Sequence, residues 1–308
     1  MTFKKDIIRI SVTLFAVFIV FLLLDSVIGY VFDSLLDKMP EEGERFAKSH
    51  YVIKRAKSDI VIIGSSRALA HYDPTVFNDY YPSHSVFNCG VDGQLFYYAD
   101  IAANCILNRY VPRTLIWDFQ INDLEIAPTE NLSLLYPYYK SDSYVKQRLD
   151  ELDHTLKYKI WINVYRYNGT AGRLLSTLRM PKTLNRQGFG GHTITDGTRK
   201  FRKRVSHVTD GKLDSDKVNC LINTITRLRE KKVNVIFVIS PMFNVLNGES
   251  STVASLKQIC SSNGIPFIND SQLPEFVGKE ELFYDEGHLN NKGARIYTGI
   301  LIKQIENE

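Results

Sequence analysis

The strongest apolar pattern in the chain is at its start: "ISVTLFAVFIVFLLL" fills residues 10–24 and, after Asp25, the apolar character resumes through "SVIGYVF". The uninterrupted run is shorter than the roughly 20 residues a spanning helix needs, but extension to Phe32 reaches that length and leaves Asp25 near the outer interface. It is apolar on every side, unlike an amphipathic helix of a folded core. Lys4, Lys5 and Arg9 precede it, as they would in a cleaved signal peptide or an uncleaved anchor. No convincing small-x-small cleavage site follows, which favours the anchor. Under either reading the basic flank stays in the cytoplasm and the rest crosses. The expected organisation is a transmembrane helix over 1–32, a charged juxtamembrane linker over 33–57 and a folded domain over 58–308.

Within that domain short apolar runs alternate with longer helical patterns. "DIVIIG" (59–64), "SVFNCG" (85–90), "TLIWDF" (114–119), "VNVIFVIS" (233–240) and "IPFIND" (265–270) are bounded by Gly, Pro or Asn and rich in β-branched residues, as buried parallel strands are. A helix is predicted over 215–231, with Val218, Leu221, Ile222, Ile225 and Leu228 on one face and Asp214 or Ser215 as cap. Another covers 252–264, with Val253, Leu256 and Ile259 inward and Gly264 as its stop. The last covers 290–308, capped by Asn290 or Asn291, with Tyr297, Ile300, Leu301 and Ile305 buried. This alternation implies an α/β fold with a mostly parallel sheet covered on both faces. Residues 124–213 break the rhythm, are rich in tyrosine and contain "RQGFGGHTITDG". They read as a partly helical insertion between the third and fourth strands, forming a wall or lid.

Composition narrows the classes. At 44% hydrophobic residues the chain can bury a large core, and a net charge of +4 gives no reason to invoke nucleic acid. Cys89, Cys105, Cys220 and Cys260 lack metal-type pairing and read as core thiols, although Cys89 and Cys105 flank one predicted helix and could pair in an oxidising compartment. The run "RKFRKR" at 199–204 reads as a solvated face, with anionic polysaccharide or lipid headgroups as the sharper alternative.

Ligands of open parallel sheets sit beyond the carboxyl ends of the strands, so the loops there carry the candidate chemistry. After the first strand come Gly64, Ser65, Ser66 and Arg67, where a serine at the strand-to-helix junction is lifted toward unpaired N–H groups; plain helix capping is the competing reading. "NCGVDGQ" puts Gly90 and Gly93 where a backbone N–H can approach a ligand, or where an ordinary turn forms. "DFQIND" presents Asp118, Asn122 and Asp123; a carboxamide there can donate to an oxyanion, while an Asx-turn is the bland alternative. Asp285 stands three residues before His288, a spacing at which the carboxylate can hold one ring nitrogen while the other faces a nucleophile. His71 and His192 lack such a partner and read as structural or peripheral.

Taken in this order, the four loops resemble the SGNH (GDSL-type) hydrolase superfamily. "GSS" matches the Gly-Asp-Ser block with Ser65 in the aspartate position, Asn88 and Gly93 match the second block, "QIND" the third with Gln120 in place of glycine, and Asp285 with His288 the last. The resemblance implies a three-layer α/β/α, flavodoxin-like fold. It implies a triad of Ser66, His288 and Asp285, an oxyanion hole from the N–H groups of Ser66 and Gly93 and the amide of Asn122, and no metal or organic cofactor. Ser65, Arg67, Gln120 and His192 are then candidates for substrate binding. The implied activity is an esterase or O-acyl, above all O-acetyl, hydrolase on a cell-envelope glycan. Alternatives are an O-acetyltransferase using the same residues and a non-catalytic glycan-binding or assembly protein that kept the fold. The expected partners are an acylated carbohydrate or other ester, the membrane, and polysaccharide-biosynthesis proteins, with the catalytic domain outside the cytoplasmic membrane.

Overall fold

The computed structural model describes residues 2–40, 45–127, 130–177, 187–193, 204–208 and 211–307. In chain order, α1 (Thr2–Leu36) and α2 (Arg45–Lys54) precede β1 (Ile60–Ile63), α3 (Ser66–His71), α4 (Pro74–Tyr80), β2 (Val86–Asn88), α5 (Phe96–Arg109) and β3 (Thr114–Asp118). A 3-10 segment (Ser133–Tyr138) leads to the short helices α6 (Ser143–Leu152), α7 (Leu156–Lys159), α8 (Asn163–Tyr167) and α9 (Ala171–Thr177). Then come β4 (Val205–His207), α10 (Ser215–Glu230), β5 (Asn234–Ile239), β6 (Val245–Asn247), α11 (Ser251–Asn263), β7 (Phe267–Asn269) and α12 (Asn291–Asn307). The chain divides into two compact units, Met1–Met39 with Leu132–Pro181, and Pro40–Asn131 with Lys182–Glu308.

The second unit is built on a five-stranded sheet in the order β2-β1-β3-β5-β7, every pair parallel. The strand order reverses between β1 and β3, and a doubly wound sheet opens its ligand crevice at such a reversal. One face of the sheet, through Ile60, Ile62, Ile116, Ile236 and Val238, packs with Tyr72, Phe77, Tyr297 and Leu301 from the α3, α4 and α12 side. The other carries Trp117, which stacks between Phe96 of α5 and Phe119. Each residue of β1 and β2 is buried, and β1 reads as a continuous apolar run rather than as alternation.

Some local expectations are corrected and others are met. The segment expected as linker contains α2, whose Phe46, Ala47, Val52 and Ile53 are fully buried. Its polar residues are buried as well: Lys48 donates to the Gly188 carbonyl at 2.6 Å, and Ser49 accepts from the Tyr98 hydroxyl at 2.9 Å. On α10 the buried stripe is Lys217, Cys220, Leu221, Thr224, Ile225 and Leu228, while Ile222 is exposed. The shift follows from Thr224, which bonds Asp100 and Asn104 of α5 and draws that face inward. Asp214 caps α10, Asn290 caps α12 through Gly293 N–H, and Gly264 ends α11 in a left-handed conformation. Cys89 and Cys105 are separate buried thiols, as are Cys220 and Cys260. The ends of the expected insertion do meet: Glu125 bridges Leu213, and Asp214 N–H donates to the Leu124 carbonyl. Of "RKFRKR" only Arg204 lies within the described residues.

In the first unit, α1 is long and apolar enough to cross a membrane, and its apolar window is unburied. Past that window Asp25, Gly29 and Leu36 are buried at helical spacing, and α1 packs against α8 and α9 of the same unit.

Candidate active site

At the carboxyl end of β1 the chain must turn at once into α3, and Gly64 makes that turn at φ +145. A Cβ there would stand 2.7 Å from the Asp118 carbonyl oxygen and 2.8 Å from the Ala68 side chain. Only glycine fits both the angle and the space. The two hydroxyls that follow are used differently. Ser65 is buried and caps α3, its Oγ accepting from Arg67 N–H at 3.3 Å. Ser66 is the first helical residue, half-buried, and its Oγ lies 2.8 Å from His288 Nε2.

His288 stands on a tight hairpin closed by the Phe283–Leu289 bridge and by Tyr284 N–H donating to the His288 carbonyl at 2.8 Å. Asp285 Oδ1 accepts from the N–H groups of Gly287 and His288, each at 2.8 Å. Its two oxygens also face His288 Nδ1 at 2.8 and 3.0 Å. Burial pushes the Asp285 carboxyl up, but the bonds from the His288 ring, Gly287 N–H and His288 N–H outweigh it and hold it below its usual value. This arrangement selects the tautomer with the proton on Nδ1, leaving Nε2 to accept from the Ser66 hydroxyl.

Helix α3 connects both halves. Its first residue is Ser66, and its last, His71, accepts from Leu289 N–H through Nε2 at 3.1 Å, one residue past His288. The His71 ring is fully buried and edge-on to His288 at 6.5 Å. Burial, with the charge of Arg67, pushes its pKa well below the ordinary value, so it is a neutral strut. Asn88 anchors the same helix from β2, donating to the carbonyls of Ala68 at 2.7 Å and Tyr72 at 2.9 Å while accepting from Gly90 N–H. Gly90 is pressed against α3 so closely that a Cβ would meet Leu69 N at 2.5 Å.

Three residues on, Gly93 is exposed beside Arg45, whose guanidinium donates to the Asp92 carbonyl at 3.2 Å. The loop after β3 is a β-turn over 120–123: Asp123 N–H donates to the Gln120 carbonyl at 3.2 Å, and the Asp123 carboxylate reaches back to accept from Gln120 N–H at 2.8 Å. Asn122 is exposed in that turn. Burial pushes the Asp123 carboxyl up to about 7, with the Gln120 bond only partly opposing it.

Ser66, His288 and Asp285 thus form one bonded line, while Gly93 and Asn122 sit on exposed loops with no direct bond to it among the described residues. The expected substrate contacts are placed unevenly. Ser65 and Arg67 are scaffold: the Arg67 guanidinium is buried against the Ser240 carbonyl, the Ser240 hydroxyl at 3.0 Å and the Pro241 carbonyl at 3.3 Å. Gln120 takes part through its backbone. His192 is beside the line, stacked on Tyr284 at 4.2 Å and edge-on to His288 at 5.9 Å. Burial, then the charge of His288, lowers its pKa.

His71 is structural, as expected, though its bond to Leu289 N–H was not foreseen; the sequence reading missed the platform role of Tyr284, whose one signal was adjacency to Asp285. It also missed the knot under α3, where Asp118 Oδ1 accepts from the Tyr72 hydroxyl at 2.6 Å and Ser240 N–H at 3.1 Å. Among the described residues no group of three or more His, Cys, Asp or Glu is placed to hold a metal ion.

No protein-family profile matches the chain, and no curated protein matches it in sequence. Solved structures are similar at low scores. The acetyl xylan esterase AlAXEase aligns at TM-score 0.42 and 10% identity over 80% of this chain and 99% of its own. The psychrotrophic esterase EstA from Pseudoalteromonas sp. aligns at 0.43 and 12% over 81% and 97%. The lipase/acylhydrolase from Enterococcus faecalis aligns at 0.38 and 12% over 80% and 95%. Likeness at this level adds nothing to the geometry just described.

Proposed function

We propose that this protein is a serine-dependent esterase of the SGNH type, removing O-acyl groups from a cell-envelope glycan. The observation that carries the reading is the line from Ser66 Oγ through His288 to Asp285, with 2.8 Å at each link. In the first half-reaction His288 Nε2 takes the Ser66 proton as Oγ attacks the ester carbonyl, and Asp285 steadies the imidazolium. The tetrahedral intermediate collapses as His288 gives that proton to the departing alcohol. Water, deprotonated by the same nitrogen, then releases the acid and restores Ser66. Ser65 takes Arg67 N–H as its capping donor, which leaves Ser66 N–H for the oxyanion; Gly93 N–H and the Asn122 amide are the other proposed donors. The basic start of α1 stays on the cytoplasmic side and the esterase unit acts outside.

The test is hydrolysis of 4-nitrophenyl acetate and of an O-acetylated glycan by the full chain in detergent or nanodiscs. Acetate release from both, lost in Ser66→Ala, is the expected result. Release from neither by folded wild type would sink the reading. Acetate appearing on an added sugar acceptor, in place of free acetate, would convert hydrolase to transferase.

A further inference from the structure

The first unit carries a surface that the esterase chemistry does not use. Residues 10–24 of α1 are apolar and exposed all round. At 1.5 Å per residue that stretch is about 22 Å long, short of a hydrocarbon core of about 30 Å. The missing length falls on the next turn and a half, where exposed Val27, Tyr30 and Val31 continue the apolar surface. Asp25 then lies inside the apolar layer, where a bare carboxylate is costly. It is 6% exposed and fully engaged: its oxygens accept from Asn163 N–H at 2.9 Å, Val164 N–H at 2.8 Å and the Asn163 side-chain amide at 3.0 Å. These bonds cap the start of α8 and hold it at the depth of Asp25. Asn163 also fills the notch at Gly29, where a Cβ would come within 2.6 Å. Further along, Arg166 pairs with Asp33 at 2.8 Å.

The residues around that capped turn face outward. Tyr158 is 74% exposed, Trp161 64%, Ile162 40% and Val164 47%. Single exposed apolar side chains are ordinary, but a cluster this dense marks a contact surface. Lys140 donates to the Trp161 carbonyl at 3.2 Å with its ammonium 5.4 Å from the indole, and Lys157 sits 5.1 Å from the Tyr158 ring. Residues 156–175 contain Lys157, Lys159, Arg166 and Arg173 and no Asp or Glu. Asp153 stands 3.9 Å from Lys159 just ahead of this segment, but aromatic and aliphatic side chains mixed with an excess of cations are what the headgroup–acyl boundary of a bilayer selects.

We propose that α7, α8 and the turn between them form a foot embedded in the outer interface of the bilayer that α1 crosses, covering the Asp25 side of that span. The proposal rests on the anchor half of the reading above and not on the esterase half.

The chain supplies its own probe, since its two tryptophans are Trp117, buried in the sheet, and Trp161. The full chain is reconstituted in vesicles of phosphatidylcholine and phosphatidylglycerol carrying bromine high or low on the acyl chain. Emission that is present in wild type and absent in Trp161→Phe is expected to fall about twofold or more with shallow bromines and less with deep ones, as an interfacial indole should. A Val20→Trp, Trp161→Phe variant, with the probe near the middle of the span, is expected to show the reverse order. Trp161 unquenched while Val20→Trp is quenched would overturn the foot and leave the anchor standing. Neither quenched would overturn both, while acetate release from the same preparation still reports on the esterase.

Discussion

Asp285 on the hairpin before α12 and Asp118 at the end of β3 both neighbour the Ser66 turn, and they are treated in opposite ways. Asp285 is partly exposed, accepts two backbone N–H bonds and a ring N–H, and is held below its usual pKa. Asp118 is fully buried, accepts from Tyr72 and Ser240 on one oxygen, and leaves the other without a partner among the described residues. Burial raises its pKa, with Arg67 only partly offsetting it. In the proposed mechanism Asp285 stabilises a transient imidazolium and has to be ionised and aimed; a carboxylate that fastens strands together needs only to accept hydrogen bonds. The number of donors aimed at each carboxyl, rather than its distance from the serine, separates the two tasks.

Changing each carboxylate in turn should break this contrast if it is wrong. Asp285→Asn is expected to lower kcat on a soluble ester by about a thousandfold or more, because the amide favours the wrong tautomer of His288. At neutral pH stability should fall only by the contribution of that depressed carboxyl, far less than the loss of activity corresponds to, which thermal unfolding checks. Asp118→Ala is expected to do the reverse, leaving the Tyr72 hydroxyl and Ser240 N–H without their acceptor at a cost of about 1–3 kcal/mol each in unfolding free energy. Activity per folded molecule should stay within a few-fold. Gly64→Ala, which forces a Cβ against the Asp118 carbonyl at φ +145, should destabilise by about 1–3 kcal/mol from backbone strain alone, read as a lowered urea midpoint.

The smallest effect concerns pH. Asp123, raised to about 7, keeps its proton in the fold when the unfolded chain has lost it. Its contribution is therefore fully present below about 4 and is lost as pH rises through about 7. Asp285, depressed in the fold, contributes above the ordinary carboxylate range and loses that contribution as pH falls through its folded value. Urea unfolding at several pH values should show Asp123→Asn flattening the decline toward neutrality and Asp285→Asn flattening the decline toward acid. Equal slopes for both variants would contradict the assignment.

The strands of the main sheet were legible because each is built around a short apolar run: "DIVIIG" became Ile60–Ile63 and "VNVIFVIS" became Asn234–Ile239. The elements that escaped notice bury polar side chains through specific bonds, which erases the apolar period. α2 hides Lys48, Ser49 and His50 among its apolar residues, and burial with Arg55 and Lys54 nearby lowers His50 to about 4. The β4–β6 pair is three residues a side, with Val205 and His207 exposed, too short for any alternation to register. Helices α7 to α9 are four, five and seven residues long, under two turns each. For the candidate site, order along the chain named Ser66, Asp285 and His288, which the fold brings into one bonded line. What sequence spacing could not supply was the gauge between them, because His71 reaches Leu289 across the fold rather than along the chain.

The most direct measurement is covalent trapping of the nucleophile. Treatment of the full chain with a fluorophosphonate, followed by protease digestion and mass mapping, should place a single adduct on Ser66, absent from His288→Ala and from Ser66→Ala. An adduct on Ser65 or another serine, or none on folded wild-type protein, would contradict the account.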